Sequence, residues 1–177
     1  ISLEPVVAQP SDPYAFREED IPEILNTYDR LGEELLKRRQ KGEDFSFFHF
    51  NVALDQGPCL PKRLSGCGAG HEYVAVSPEG DLYPCHQFVG QEKFKLGSLW
   101  DEKVSLNPDL VQSFRSAHVY NKPACRKCWA RFSCSGGCHS ANHAFTGQLN
   151  QVYALGCEFQ KKRLEVALYL KAKEAGF

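Results

Sequence analysis

The strongest constraint on this chain is the spacing of its cysteines. Cys125, Cys128, Cys134 and Cys138 run as C-x2-C-x5-C-x3-C, with Cys157 after a longer gap. Upstream, Cys67, Gly80 and Cys85 run as C-x12-G-x4-C, and Cys59 precedes them in Gly57-Pro58-Cys59. Thiolates separated by two intervening residues can converge on one metal centre from a tight turn. Soft sulfur donors select zinc, copper(I) or iron–sulfur clusters over magnesium or calcium. The eight thiolates suffice for two four-ligand sites. Five lie downstream and three upstream, so one downstream cysteine has to complete the upstream site and tie the two halves together.

Disulfides, zinc and iron–sulfur clusters all use such a set. Disulfides suit a secreted chain, but the first twenty residues carry Glu4, Asp12, Glu18 and Glu19 where a secretory signal needs an apolar run after basic residues. No apolar run is long enough to span a membrane. A net charge of -1 without blocks of like charge leaves no electrostatic footprint for nucleic acid. A cytoplasmic setting, with no nucleic acid and no membrane as partner, is therefore expected, and metal is favoured over disulfides. Zinc and iron–sulfur both remain open on spacing alone, since zinc ribbons also use C-x2-C pairs. With 42% apolar and 24% charged residues the chain is ordinary for a folded globular protein. A start at Ile1 and the absence of methionine predict that it belongs to a longer protein.

The rest of the chain reads as α+β. Residues 1–8 are rich in β-branched side chains and read as a buried strand before the turn cluster at 9–13. From Ile21 the stripe Ile24, Leu25, Tyr28, Leu31, Leu35 and Leu36 predicts an amphipathic helix with Pro22 in its first turn, ended by Gly42. Residues 45–54 read as a second strand, so this part spells a right-handed βαβ unit of a larger parallel α/β structure. After Pro58 the composition shifts to cysteine and glycine, which places a boundary there, with domains at 1–58 and 59–177. Tyr73–Val76 and Asp81–Tyr83, flanking Ser77-Pro78-Glu79-Gly80, predict a hairpin on a type I turn that delivers Cys85. Helices are expected over 108–118 and over 158–174, the second with Leu164, Ala167, Leu168 and Lys171 on one face.

Taken whole, the pattern formed by Cys67, Gly80, Cys85, Cys125, Cys128, Cys134, Cys138 and Cys157 resembles the signature of the SPASM domain over about residues 59 to 160. Such domains are appended to radical S-adenosylmethionine (SAM) enzymes that modify peptides. The wording GCGAGHEYVAVSPEGDLYPCHQFVG and CRKCWARFSCSGGC is similar to the maturases of six-cysteine (SCIFF) peptides, which install thioether bridges. SLEPV and FFHFNVALDQGPC resemble the last strands of their partial (β/α)6 barrel. The resemblance implies two auxiliary [4Fe-4S] clusters. Cluster I would take Cys59, Cys67, Cys85 and Cys138, and cluster II Cys125, Cys128, Cys134 and Cys157. In some thioether-forming relatives cluster I leaves one iron open to a substrate thiolate, so whether Cys59 binds decides its role. A cysteine-rich precursor peptide and an electron donor or acceptor such as ferredoxin or flavodoxin are the implied partners.

No C-x3-C-x2-C occurs here. The resemblance therefore places S-adenosylmethionine and a third [4Fe-4S] cluster in the full-length enzyme and leaves this stretch inactive alone. Where sulfatase-maturing relatives have a basic aspartate, this chain has His86. His86, Asp55 and Glu4 are the catalytic candidates, the last two from their place at expected strand ends. His86 and His139 follow expected ligands and are positioned to donate to cluster sulfur or carry a proton. Lys122, Arg126, Lys127 and Arg131 surround the C-x2-C pair, as cations that raise a cluster's potential or as a solvated basic face. Trp129, Phe132, Tyr83 and Phe88 read as core residues that exclude water. A zinc-stabilised peptide-binding module without catalysis, and a pure electron carrier, are the competing functions.

Overall fold

The computed structural model describes residues 1–9, 11–43, 45–53 and 64–177, which form two compact units, Ile1–Pro58 with Tyr153–Phe177 and Cys59–Val152. In the first unit, α1 (Ile21–Gln40) forms where the apolar stripe predicts it, with Pro22 in the first turn, where no N–H is needed. Glu23 near its start and Lys37, Arg38 and Arg39 near its end complement the helix dipole. The stripe buries Tyr28 and Leu35 against Phe47, Phe50, Phe159, Val166, Ala167 and Leu170. Gly32 permits the close approach, since a Cβ there would lie 2.4 Å from Val166 Cγ1.

Phe159, Val166, Ala167 and Leu170 belong to the last helix, Ala154–Glu174, which starts four residues earlier than expected. Its buried face also differs from the expected one. Leu164 and Ala167 are buried, but Leu168 is 38% exposed and Lys171 is at the surface. The true stripe runs through Arg163, which the apolar pattern discounts. Arg163 is 4% exposed because its guanidinium is satisfied inside: Nε donates to the Tyr28 hydroxyl at 2.8 Å and Nη2 to the Leu3 carbonyl. It also lies 5.2 Å from the Tyr28 ring centre, in cation–π range.

The expected strands of this unit do not form. Residues 1–8 are irregular, and the described part of 45–54 is irregular around a 3₁₀ turn at Phe48–Phe50. One parallel step survives: the Ile1 amino group donates to the Ser46 carbonyl at 2.7 Å, and Phe48 N–H to the Ile1 carbonyl at 2.8 Å. A parallel pair gains stability only within a wider sheet covered on both faces. Here the aromatic side chains of 45–50 pack on the two helices instead.

The second unit holds the expected hairpin. β1 (Ala75–Val76) pairs antiparallel with β2 (Asp81–Tyr83) in register Ala75 with Tyr83 and Val76 with Leu82. Gly80 N–H closes the turn on the Ser77 carbonyl at 2.9 Å. A third strand, β3 (Gly97–Ser98), adds to β2 and had no sequence signal, being two residues long and free of β-branched side chains. α2 (Pro108–Ser116) is capped by Asn107, whose Oδ1 accepts from the N–H groups of Asp109 and Leu110, both at 3.1 Å. Then come α3 (Pro123–Arg126), α4 (Arg131–Cys134) and α5 (His139–Thr146), with α6 the final helix. The unit's core is aromatic: Phe88 lies 4.3 Å from Phe94 and 5.4 Å from Phe114, beside Tyr83, Ala69 and Cys85. Among the described residues no helix is long and apolar enough to cross a membrane.

Candidate metal centre

Seven described cysteines form no disulfide. Six of them lie in the second unit, and the structure gathers these into two sets. In the first, the Gly66-Cys67-Gly68-Ala69-Gly70 loop is tied to the end of the hairpin. Gly70 N–H is shared between the carbonyls of Tyr73 at 3.0 Å and Pro84 at 3.1 Å. Only glycine serves there: φ is +80°, and a Cβ would meet the buried Phe114 ring at 3.0 Å. This clamp holds Cys67 beside Cys85, the residue after Pro84. Burial raises the Cys85 thiol above its usual range. Gln87 N–H counteracts that, Cys138 adds to it, the Tyr73 hydroxyl counteracts it as a hydrogen-bond donor, and Cys67 adds to it. Tyr73 lies among the same three thiols, its pKa pushed up to about 12 by burial first and then by Cys85 and Cys67. Cys67 and Cys138 are exposed and Cys85 is buried.

The second set is built from two one-turn helices. Cys128 N–H donates to the Cys125 carbonyl at 3.0 Å and Cys134 N–H to that of Ala130 at 2.8 Å, so Cys125, Cys128 and Cys134 sit on successive turns of one tight coil. The coil ends in three left-handed residues, Ser135, Gly136 and Gly137, at φ +61°, +86° and +74°. That reversal turns the N–H groups of Gly136 and Gly137 onto the Cys134 sulfur. Burial raises the Cys134 thiol, and those two N–H groups pull it back. Burial likewise raises Cys125, and the Lys122 ammonium lowers it. Successive N–H groups of this kind make an anion-binding concavity.

Other sequence candidates fare variously. Cys59 and Asp55 lie outside the described residues. Cys157 lies in the first turn of α6, in the other unit. Glu4 lies 3.0 Å from His49 Nε2, whose pKa burial lowers, and 3.8 Å from the Arg163 guanidinium. His86 is exposed beside Cys85. His139, the residue after Cys138, is 2% exposed, edge-on to Phe114 and beside the Ser65 backbone. Burial, then the Lys122 charge, pushes its pKa down to about 4, so it is neutral near pH 7. Tyr83 and Phe88 are core residues as expected, but Trp129 is 59% exposed, and Phe132 is half-buried under the Arg131 guanidinium at 4.6 Å. The basic group also divides: Arg126 and Lys127 are exposed, whereas Lys122 is 0% exposed. Tyr73 was missed because it reads as the first residue of a strand.

Among the described residues no three Cys, His, Asp or Glu groups are close enough to enclose a single metal ion. The donor chemistry fits a thiolate-bound cluster: free soft donors in two sets, each with groups that stabilise negative sulfur. Residues 67–129 match the family model of the SPASM iron-sulfur cluster-binding domain. An uncharacterised protein of Archaeoglobus fulgidus is 34% identical over 124 residues, 67% of this chain and 28% of that protein. Mycofactocin maturase MftC of Mycobacterium tuberculosis is 34% identical over 106 residues, 58% of this chain and 26% of the maturase. A structure of anSMEcpe with bound AdoMet and a Kp18Cys peptide superposes with a TM-score of 0.60 at 17% identity, over 99% of this chain and 48% of that one. The chain thus spans less than half the length of these proteins. Residues 67–129 are thus similar to the SPASM iron–sulfur cluster-binding domain, and the chain is homologous to a part of mycofactocin maturase MftC.

Proposed function

We propose that this chain is the cluster-bearing portion of a radical SAM peptide maturase that forms thioether crosslinks in a cysteine-rich precursor peptide. The observation that carries the reading is the gathering of six cysteines into two sets of three, because these are the sets the signature assigns to two different clusters. Cys67, Cys85 and Cys138 would hold cluster I, with Cys59 as a fourth ligand or an open position in its place. Cys125, Cys128 and Cys134 would hold cluster II with Cys157. When bound, the clusters supply one-electron redox capacity and, at an open iron, a binding place for thiolate.

The chain's own residues prepare these sites. The Gly70 clamp fixes the distance between two cluster I ligands, and the Tyr73 hydroxyl donates to the Cys85 sulfur. Exposure of Cys67 and Cys138 leaves that set reachable by a peptide thiol. S-adenosylmethionine, a third [4Fe-4S] cluster and the radical step belong to other parts of the longer protein in this reading, which leaves the present stretch inactive alone, with a ferredoxin or flavodoxin as its electron partner. Anaerobic purification with iron, sulfide and zinc analysis tests it. The expected result is a brown protein with roughly eight irons and eight sulfides per chain from these two sets. A colourless protein with two zincs would overturn it in favour of a zinc-stabilised binding module.

A further inference from the structure

The second unit carries its charge unevenly. Between residues 110 and 157 there are five Lys or Arg and no Asp or Glu, in a chain whose net charge is -1. Lys122 is interior, whereas Arg115, Arg126 and Lys127 are exposed and Arg131 is half-buried. Among the described residues none of these last four forms an ion pair. Two of them flank a pair of rings. Arg126 Nε donates to the Tyr120 carbonyl at 2.7 Å, and the Tyr120 ring lies 6.2 Å from that of Phe132. Phe132 lies under the Arg131 guanidinium, whose Nη1 donates to the Cys128 carbonyl at 3.2 Å. Lys127 and Trp129, both exposed, are the residues on either side of half-buried Cys128. A candidate cluster ligand is thus framed by three cations and by aromatic side chains. Arg, Tyr and Trp are the residues in which protein interfaces concentrate their binding energy.

We propose that this cationic face docks a small acidic one-electron carrier protein, which exchanges electrons with the cluster held by the Cys125, Cys128 and Cys134 set. This rests on the cluster reading given above. The reduced carrier gives up one electron and the oxidised cluster gains it, with no bond formed or broken and no proton moved. The same face serves the reverse transfer to an oxidised carrier. Encounters between electron-transfer proteins are brief and bury little surface, so a few charges decide how often they form. A patch of one sign steers an oppositely charged partner and raises its association rate by about 10- to 1,000-fold at low salt. An acidic peptide would meet the same field, but docked here it would sit at the half-buried thiols rather than at the exposed Cys67 and Cys138.

The test is the rate at which reduced flavodoxin reduces the full-length protein with its clusters loaded, followed by rapid-freeze EPR on the signal lost in a Cys134→Ala variant. Rates are compared at about 0.01 M and about 1 M salt, where the screening length is about 30 Å and about 3 Å. At low salt Lys127→Glu should slow the second-order rate about tenfold, and Arg126→Glu with Lys127→Glu about a hundredfold. Lys103→Glu, which reverses an exposed cation outside the run, should stay within about threefold of the parent. High salt should bring all four proteins together. A small neutral reductant, the photogenerated deazaflavin radical, should reduce every variant at the parent rate. Unchanged rates with flavodoxin in both reversal variants overturn the proposal, and so does equal slowing by Lys103→Glu. If the reversal variants lose iron, salt decides on the parent: a flat rate overturns the proposal, and a steep fall with Lys103→Glu as fast as the parent supports it. Reversal variants that lose precursor-peptide or RNA binding while flavodoxin still reduces them at the parent rate also overturn it, giving the face to that polyanion. A parent protein that the deazaflavin radical fails to reduce would instead sink the cluster reading itself.

Discussion

Replacing Gly70 by alanine tests whether backbone geometry builds the first thiol set. Two effects add. An L-residue in the left-handed region costs roughly 1–2 kcal/mol, and φ at Gly70 is +80°. The new methyl also meets Phe114 at 3.0 Å, and Phe114 is 0% exposed with Phe88 and Phe94 behind it, so overpacking adds about 1–3 kcal/mol. The sum, about 2–5 kcal/mol, is a large part of a typical domain stability of about 5–15 kcal/mol. It falls on the residue whose N–H joins the Cys67 loop to Pro84. Gly90→Ala is the control: φ there is +81°, but nothing lies within 4 Å of the added Cβ, so only the strain remains. Urea unfolding should rank Gly70→Ala below Gly90→Ala by about 1–3 kcal/mol, the packing difference alone. Iron should fall from about eight to about four per chain in Gly70→Ala and stay at about eight in Gly90→Ala. Equal unfolding midpoints, or full iron in Gly70→Ala, refute the clamp argument.

Cys85→Ala and Cys134→Ala should each lose about four irons and abolish different EPR signals; loss of the same signal in both would mean that the six thiols serve one centre. In the first unit, Tyr28→Phe removes the acceptor of the buried Arg163 Nε and should cost about 1.5–3 kcal/mol in urea unfolding, as expected for a hydrogen bond to a charged group. Arg163→Met should cost at least as much by leaving the Tyr28 hydroxyl and Leu3 carbonyl unmatched, and a neutral outcome for either would show the guanidinium to be dispensable. His139 gives an acid limit. Its folded pKa is depressed to about 4, so the stability it contributes is complete above its ordinary 6.5 and is lost as pH falls from there toward 4. That window is worth about 3 kcal/mol at about 1.4 kcal/mol per pH unit. His139→Leu, compared at equal iron content, should lose less stability over the same interval, and an identical pH profile would contradict a neutral buried imidazole.

What could be read from the sequence depended on how local its cause was. The α1 stripe and the Ser77–Gly80 turn are written in neighbouring residues, and both form as expected. The paired strands at 1–8 and 45–54 depend on neighbours far along a sheet, and the β-rich composition there produces a single parallel step instead. Arg163 defeats the apolar count because its burial depends on Tyr28, 135 residues away. Cysteine spacing named the candidate ligands, and the structure gathers six of them into two sets. It carried no sign that Lys122 is interior while Arg126 and Lys127 are not, since all three are cations beside the same coil. Burial there comes from the left-handed turn at 135–137, whose shape the pair Gly136-Gly137 permits but does not announce.

The two thiol sets differ in the property that separates a reactive centre from a conduit. The first has two exposed thiols and a half-exposed tyrosine as hydrogen-bond donor, so an incoming thiolate meets ligands at the surface. The second has Cys125 buried, Cys128 and Cys134 half-buried, and a buried ammonium with two peptide N–H groups turned on its sulfurs. Electron transfer without ligand exchange gains from such a site, because fixed dipoles need not reorganise when charge arrives. Ligand exchange gains from the opposite arrangement, in which water and a peptide chain reach the metal. The proposed division of labour, substrate at the first set and electrons through the second, is the one that these two environments would suit. Burial and charge thus add a physical argument for the roles that the family resemblance implies.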